Sequence, residues 1–332
     1  MSQKSAWVRR LVPTVFLSVV LLFSTAAPSA AEEPDCTLKQ YASLDLTETP
    51  DGSLLVPVQI EGRAVYMVLN TVAAISGMTE EAVKLLGLGI KPVPPGVEIQ
   101  VGKSDVRRMA TAKGFSMGSV RFKGATFLIM PTDLVGRPTG EVPLVGALGM
   151  DVFASMDVEL DAAHRKINLF SQDHCPGRAV YWAKKFDSVP IRFGRLGEIY
   201  FPMELDGQKL ETTLATGSAL TVLSTDVTRQ LYHFDKDSPD IEKETDARGV
   251  TTAHYRAMNL TGEGLQIVNA HIRLLDPTHK SCHLGKRSGA AAYDDCYGTH
   301  PLQLGRSVLT KLRIYIATKE KTLYFTAADP QD

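Results

Sequence analysis

Apolar residues recur along this chain in short runs of strand length, broken by turn dipeptides. VPVQI (56–60) runs into Glu61-Gly62 and FPMEL (201–205) into Asp206-Gly207, dipeptides that favour tight hairpins. After each hairpin the pattern changes. Thr79 and Ser224 stand as helix N-caps, followed by an acidic first turn, Glu80-Glu81 in one case and Asp226 in the other. Short helices are predicted after Leu148-Gly149 and Leu304-Gly305, over Asp151 to Ser155 and Ser307 to Lys311. Two further hairpins follow, VELDAAHRKINLF (158–170) and IYIATKEKTLYFT (314–326). Pro92, Pro94, Pro95 and Gly96 mark a loop, and DKDSPDIEKETDARG (235–249) reads as a charged, solvated connection.

These elements come in two copies. Leu54 to Leu86 aligns without a gap on Ile199 to Leu231, 145 positions later. The copies share Pro57/Pro202, Gly62/Gly207, Leu69/Leu214, Thr71/Thr216, Ala74/Ala219 and Leu86/Leu231. A second anchor, 148–170 on 304–326, aligns at an offset of 156 and pairs Leu148-Gly149 with Leu304-Gly305. Between the anchors Gly118 pairs with Gly264 and Pro131 with Pro277. The second copy is 11 residues longer there, and the Cys282–Cys296 stretch reads as the insertion. Two copies are too few for a solenoid, so a duplicated lobe is the reading.

The doubled order of hairpin, Thr-containing loop, helix and Leu-Gly helix resembles the aspartic proteases of the retropepsin and pepsin type. It does so over nearly all of the chain after residue 31. In that family an extended apolar run reaches Asp-Thr-Gly-Ala/Ser. The resemblance implies a mainly β, two-lobed pepsin/retropepsin-like acid protease fold, with duplicated β-barrel-like lobes and short helices. Its divisions are a signal peptide over 1–31, an N-terminal lobe over 32–177 and a C-terminal lobe over 178–332. It also implies that Thr71 and Thr216 hydrogen-bond across the lobe interface, and that Cys36 and Cys175, at the ends of the first lobe, meet.

The same resemblance exposes what is missing. Asn70 and Ala215 occupy the positions of the two catalytic carboxylates. Such a pair shares a proton, one member drawing it from water and the other giving it to the substrate carbonyl. A carboxamide and a methyl group do neither. Val72 stands where the motif has Gly and predicts a reshaped first loop if that position needs a positive φ; Gly217 keeps the Gly in the second. The expected reading is an exported pseudoprotease with no catalytic residues. Asn70, Thr71, Ala73, Thr216, Gly217 and Ser218 would line a cleft for an extended peptide or small ligand. The alternative is an aspartic-type endopeptidase that recruits Asp151, Asp157 or Asp161. Against it, the aligned positions in the second copy are Ser307, Arg313 and Ala317. A different hydrolase chemistry on Ser76 or Ser218 lacks a nearby His and a Gly-x-Ser-x-Gly elbow. A purely structural protein ranks behind these.

Composition narrows the partners. Lys4, Arg9 and Arg10 precede the apolar run LVPTVFLSVVLLF, and Ser29-Ala30-Ala31 supplies a cleavage site before Glu32. Removal of 1–31 moves the formal charge from −1 to −4. That mild balance gives no sign of nucleic acid or of a membrane surface after cleavage. The resemblance implies that a monomer suffices, since both lobes already lie in one chain. A periplasmic or secreted setting favours two disulfides among the four cysteines, with Cys282 and Cys296 pairing locally. Zinc on His279, Cys282, His283, Cys296 and His300 is the weighed alternative. It lacks two close-spaced ligand pairs, so no metal and no cofactor is expected. His164, His174, His233, His254 and His271 read as surface or capping residues.

Overall fold

Glu61-Gly62 and Asp206-Gly207 both take left-handed backbone, with φ of 48° and 77° in the first and 45° and 83° in the second. Two such residues in a row close a hairpin whose twist matches its strands. The computed structural model describes residues 35–329, apart from 102–103, 133–134, 136–140, 195–196, 240, 247–248, 278–283, 288 and 294–299. The signal segment 1–31 and the Cys282–Cys296 pair therefore lie outside the described residues.

The first turn joins β1 (Leu54–Ile60) to β2 (Arg63–Leu69). Further along are β3 (Gly77–Thr79), β4 (Arg108–Ala112), β5 (Ala125–Met130) and β6 (Leu144–Leu148). The second turn joins β7 (Ile199–Leu205) to β8 (Gln208–Ala215). After them come β9 (Thr221–Ser224), β10 (Thr251–Gly262), β11 (Leu265–Leu275) and β12 (Leu302–Gly305). β2 runs parallel to β6, β6 antiparallel to β3, β3 parallel to β5 and β5 antiparallel to β4. Each pairing has its counterpart: β8 with β12, β12 with β9, β9 with β11, β11 with β10. The chain is mainly β, with two ten-stranded sheets that carry these two sets.

A six-stranded sheet joins the halves. Its order is Gln40–Asp45, Lys166–Phe170, Asp157–Asp161, Leu312–Ala317, Thr322–Ala327 and Asp187–Pro190. The two closing hairpins meet at its centre, where Val158 pairs with Ile316 and Asp161 with Arg313. Cys36 and Cys175 are disulfide-bonded beside it.

Side chains alternate as half-buried strands require. Val56, Val58 and Ile60 of β1 and Val65, Met67 and Leu69 of β2 all enter the core. Thr79 caps the helix Glu80–Leu86 by accepting from Ala82 N at 3.2 Å, and Gly87 closes it in left-handed backbone. Ser224 caps Thr225–Val227 by accepting from Asp226 N at 3.3 Å. That helix widens at once into a π-turn over Thr228–Tyr232. The helices after Leu-Gly begin one residue earlier than the sequence suggests, at Met150–Phe153 and Arg306–Leu309.

The segment 235–249 departs from its reading as a plain connection. Glu242–Thr245 forms a strand on β10, with Glu242 opposite His254 and Glu244 opposite Thr252. Its side chains are all exposed, so its charge says nothing against a strand. The backbone supplies the pairing, and charged edge strands are common.

Candidate functional site

The loops that follow β2 and β8 meet. Asn70 N–H donates to Leu148 O of β6 at 2.9 Å, which fixes the end of β2. Each loop then turns identically, Ala73 N to Asn70 O at 3.1 Å and Ser218 N to Ala215 O at 3.0 Å. Thr71 and Thr216 bind each other's loops reciprocally. The Thr71 hydroxyl donates to Leu214 O and the Thr216 hydroxyl to Leu69 O, both at 2.7 Å. In return each hydroxyl accepts the other residue's backbone N–H, at 3.1 and 3.2 Å. Both residues are buried. Thr216→Val keeps the shape and strands Leu69 O and Thr71 N–H away from water. We expect a loss of about 2 kcal/mol in urea unfolding. The double Thr71→Val/Thr216→Val variant should lose less than the sum of the singles, because the two share one network.

At the meeting point stand Asn70, half-buried, and Ala215, fully buried. The Asn70 amide lies against Gly217, where an added Cβ would come within 3.1 Å of its Oδ1 and 3.2 Å of its Cγ. Gly217 thus serves close approach. Neither Gly217 nor Val72 has a positive φ. The expectation of a reshaped first loop is corrected on that ground: a turn without left-handed residues accepts valine unstrained. Ser218 Oγ donates to Leu220 O at 2.7 Å, which holds the second loop's rim.

Arg306 is a site residue that the strand-and-helix pattern did not single out. It is buried, donates from Nη1 to Thr216 O at 2.9 Å and from Nη2 to Asp51 O at 2.8 Å, and so clamps the second loop to the turn before β1. Burial lowers its pKa against the opposing charges of Asp51 and Glu48. Its aligned partner is Met150, which carries no such group.

The carboxylates considered as replacements are engaged elsewhere. Asp151 Oδ1 accepts from Ser76 N at 2.9 Å and Ser76 Oγ at 2.7 Å. Asp157 accepts from Thr318 N and Oγ1 and bonds His174 in the six-stranded sheet. Asp161 holds His164 at 2.8 Å. The surface reading of the histidines holds for half-exposed His164 and fails for His174 and His254, whose side chains are buried. His300, a residue of the zinc alternative, is buried as well. Burial, and then Arg192, push His300 down to about 4. A strand alternates faces, so one histidine in a polar-looking run can point inward.

A small apolar pocket lies behind the second hairpin, lined among others by Val189, Phe201, Leu214, Leu304 and Phe325. None of the six expected ligand-binding residues lines it.

No family model matches the chain, and no curated protein matches it. The similar solved structures include two seed globulins. Conglutin gamma, a basic 7S globulin from lupine seeds, has a TM-score of 0.47 at 10% identity, over 88% of this chain and 95% of its own. The basic 7S globulin from soybean has the same score and identity, over 89% and 100%. The expected membership of the retropepsin/pepsin-like family is corrected by the first of these findings, since no model of that or any other family matches the chain.

Proposed function

We propose that the chain is an exported, non-catalytic binding protein. Its two matched strand sets, divided near residue 177, act as lobes around a cleft over the Asn70 and Thr216 loops. The ligand is an extended peptide or a small molecule with amide-like donors and acceptors. The observation that carries this reading is the meeting of Asn70 with the Gly217 backbone above a rigid Thr71–Thr216 network. A carboxamide offers one acceptor and two donors to a ligand, but no proton exchange near neutral pH. The network beneath is saturated internally, so it fixes the floor without needing a ligand. The Cys36–Cys175 bond fits an oxidising compartment.

The test is a thermal-shift screen of the chain from residue 32 against extended peptides and small metabolites. A ligand that prefers the folded state raises the melting temperature with concentration. Asn70→Ala and Ser218→Ala should each weaken any hit about tenfold, while the ligand-free melting temperature stays close to wild type. Hits indifferent to both substitutions would place binding elsewhere. Cleavage of a bound peptide by the unmodified chain would end the non-catalytic part of the reading.

A further inference from the structure

We propose that Glu244, His254 and His271 form a binding site for a divalent transition metal of the zinc class, on the outer face of the second ten-stranded sheet. The three residues sit on three neighbouring strands: Glu242–Thr245, β10 and β11. Registry brings them together, since His254 lies opposite Glu242 on one side and Arg273 on the other, and Arg256 lies opposite His271.

The geometry is close to that of a bound ion. Glu244 Oε1 is 3.4 Å from His271 Nε2, and Glu244 Oε2 is 3.6 Å from His254 Nε2. Zinc bonds of about 2.0–2.2 Å in a tetrahedron set its ligand atoms about 3.3–3.5 Å apart. Those contacts use the two carboxylate oxygens separately; with one ligand atom from each residue, the three lie within 4.8 Å of one another, so a small closure of the side chains would seat an ion. A fourth position stays free for water or an incoming group.

Two further observations point to a missing electron-pair acceptor. His271 Nε2 is buried and has no hydrogen-bond partner, although it faces the carboxylate. The His254 side chain is buried and stacks on His271, ring centroids 4.4 Å apart and planes 18° apart. Stacked imidazoles so close are suited to the neutral form, which is also the form that ligates metals.

The surrounding charges sort the roles. Arg256 holds Glu242 at 3.0 and 3.1 Å, while Glu242 Oε2 also lies 3.6 Å from His271 Nε2 and adds negative charge beside the site. Arg273 opposes a cation, and the two glutamates offset it together with Arg256. Thr252 Oγ1, 2.7 Å from His254 Nε2, orients the ring until a metal takes that lone pair. The ligands are separated by 10 and 17 residues of sequence, so no short motif announces them.

The experiment is a Zn²⁺ titration, by calorimetry, of the chelator-stripped chain from residue 32, with Co²⁺ absorption as a second readout. One equivalent should bind, with the visible bands of four-coordinate Co²⁺. Glu244→Gln and His271→Gln, each checked for folding by circular dichroism, should weaken Zn²⁺ at least about tenfold. Binding should also weaken as the pH falls and the imidazoles take up protons. Absence of binding by wild type overturns the proposal. So does unchanged affinity in both variants, or loss in His279→Gln/His283→Gln with retention in His271→Gln.

Discussion

Gly305→Ala should fail to give a folded protein, or fold with a loss of about 5 kcal/mol or more, the range reached only by a few mechanisms. A Cβ at Gly305 would lie 2.1 Å from Leu220 O, 2.2 Å from its carbonyl carbon and 2.6 Å from Thr221 N. All three are backbone atoms, so no side chain can swing aside. Nor can the backbone retreat. The segment is held by Arg306 N to Ser218 O and Ser307 N to Ala219 O, both at 2.9 Å, and β12 is flanked by β8 and β9. The loop carrying Thr216 is thus pressed directly onto the end of β12. Gly149 repeats the arrangement more loosely, with Ala73 O at 2.7 Å and Ser76 N at 2.9 Å from its virtual Cβ. Gly149→Ala should therefore be damaging but milder. Gly207→Ala is the control: its φ is 83° and nothing lies within 4 Å. It should cost only about 1 kcal/mol, the conformational penalty of left-handed backbone. Circular dichroism melts and urea titrations of the three variants check the order. Equal effects at 305 and 207 would refute the close-contact explanation.

Those glycines show what was legible in the sequence and what was not. Turn chemistry is local, so Glu61-Gly62 and Asp206-Gly207 disclosed their hairpins, and Thr79 and Ser224 their caps, from single residues. The repeat disclosed that Leu-Gly matters twice, but not that Gly305 and Gly149 let two backbones touch. The contact joins residues 85 positions apart at Gly305 and Leu220, and 76 apart at Gly149 and Ala73. Arg306 escaped for a related reason, since its two acceptors, Thr216 O and Asp51 O, come from opposite halves of the chain. Val72 was read through a motif that demands glycine, whereas the turn here uses no left-handed residue. His254 reads as a surface residue because inward and outward positions on a strand differ by one residue, and His174, off any strand, is buried by its contacts with Asp157 and Glu320. Which face is buried depends on the neighbouring strand. Family membership is not legible in this sequence. Asn70 and Ala215 had already removed the residues that define the chemistry, and a matching order of elements was left to carry the identification alone.

Stability should peak near pH 6.5, with an alkaline limb that among the described residues belongs to His174. Its side chain is buried, and each ring nitrogen faces acceptors. Nε2 is 2.7 Å from Asp157 Oδ2, and Nδ1 is 3.2 Å from both Cys175 O and Glu320 Oε1. Burial alone would lower its pKa. The bonds to Asp157 and Cys175, with the charges of Asp157 and Glu320, outweigh burial and raise it. A histidine raised above its unfolded value of about 6.5 stabilises fully below that pH, and the contribution fades as pH rises through the folded pKa. The limb therefore falls above pH 6.5, by at most about 1.4 kcal/mol per pH unit. The acid limb has the opposite origin. His254 and His300 are lowered by burial, so the unfolded chain binds their protons first and stability declines as pH drops below about 6.5. His174→Gln should flatten the alkaline limb between pH 6.5 and 8.5 and leave the acid limb intact. Asp157→Asn should be worse at pH 6, by about 3–5 kcal/mol, because it strips a buried imidazolium of its partner and turns an amide N–H toward a donor. Thr318 N and Oγ1, at 2.9 and 2.7 Å from Asp157 Oδ1, lose a charged acceptor in the same step. At pH 8.5 the Asp157→Asn deficit should shrink, since wild type has by then lost much of what the variant lacks. Urea titrations across pH 5–8.5 decide the matter. A deficit independent of pH would mean that Asp157 acts through Thr318 alone and that His174 is neutral in the folded chain.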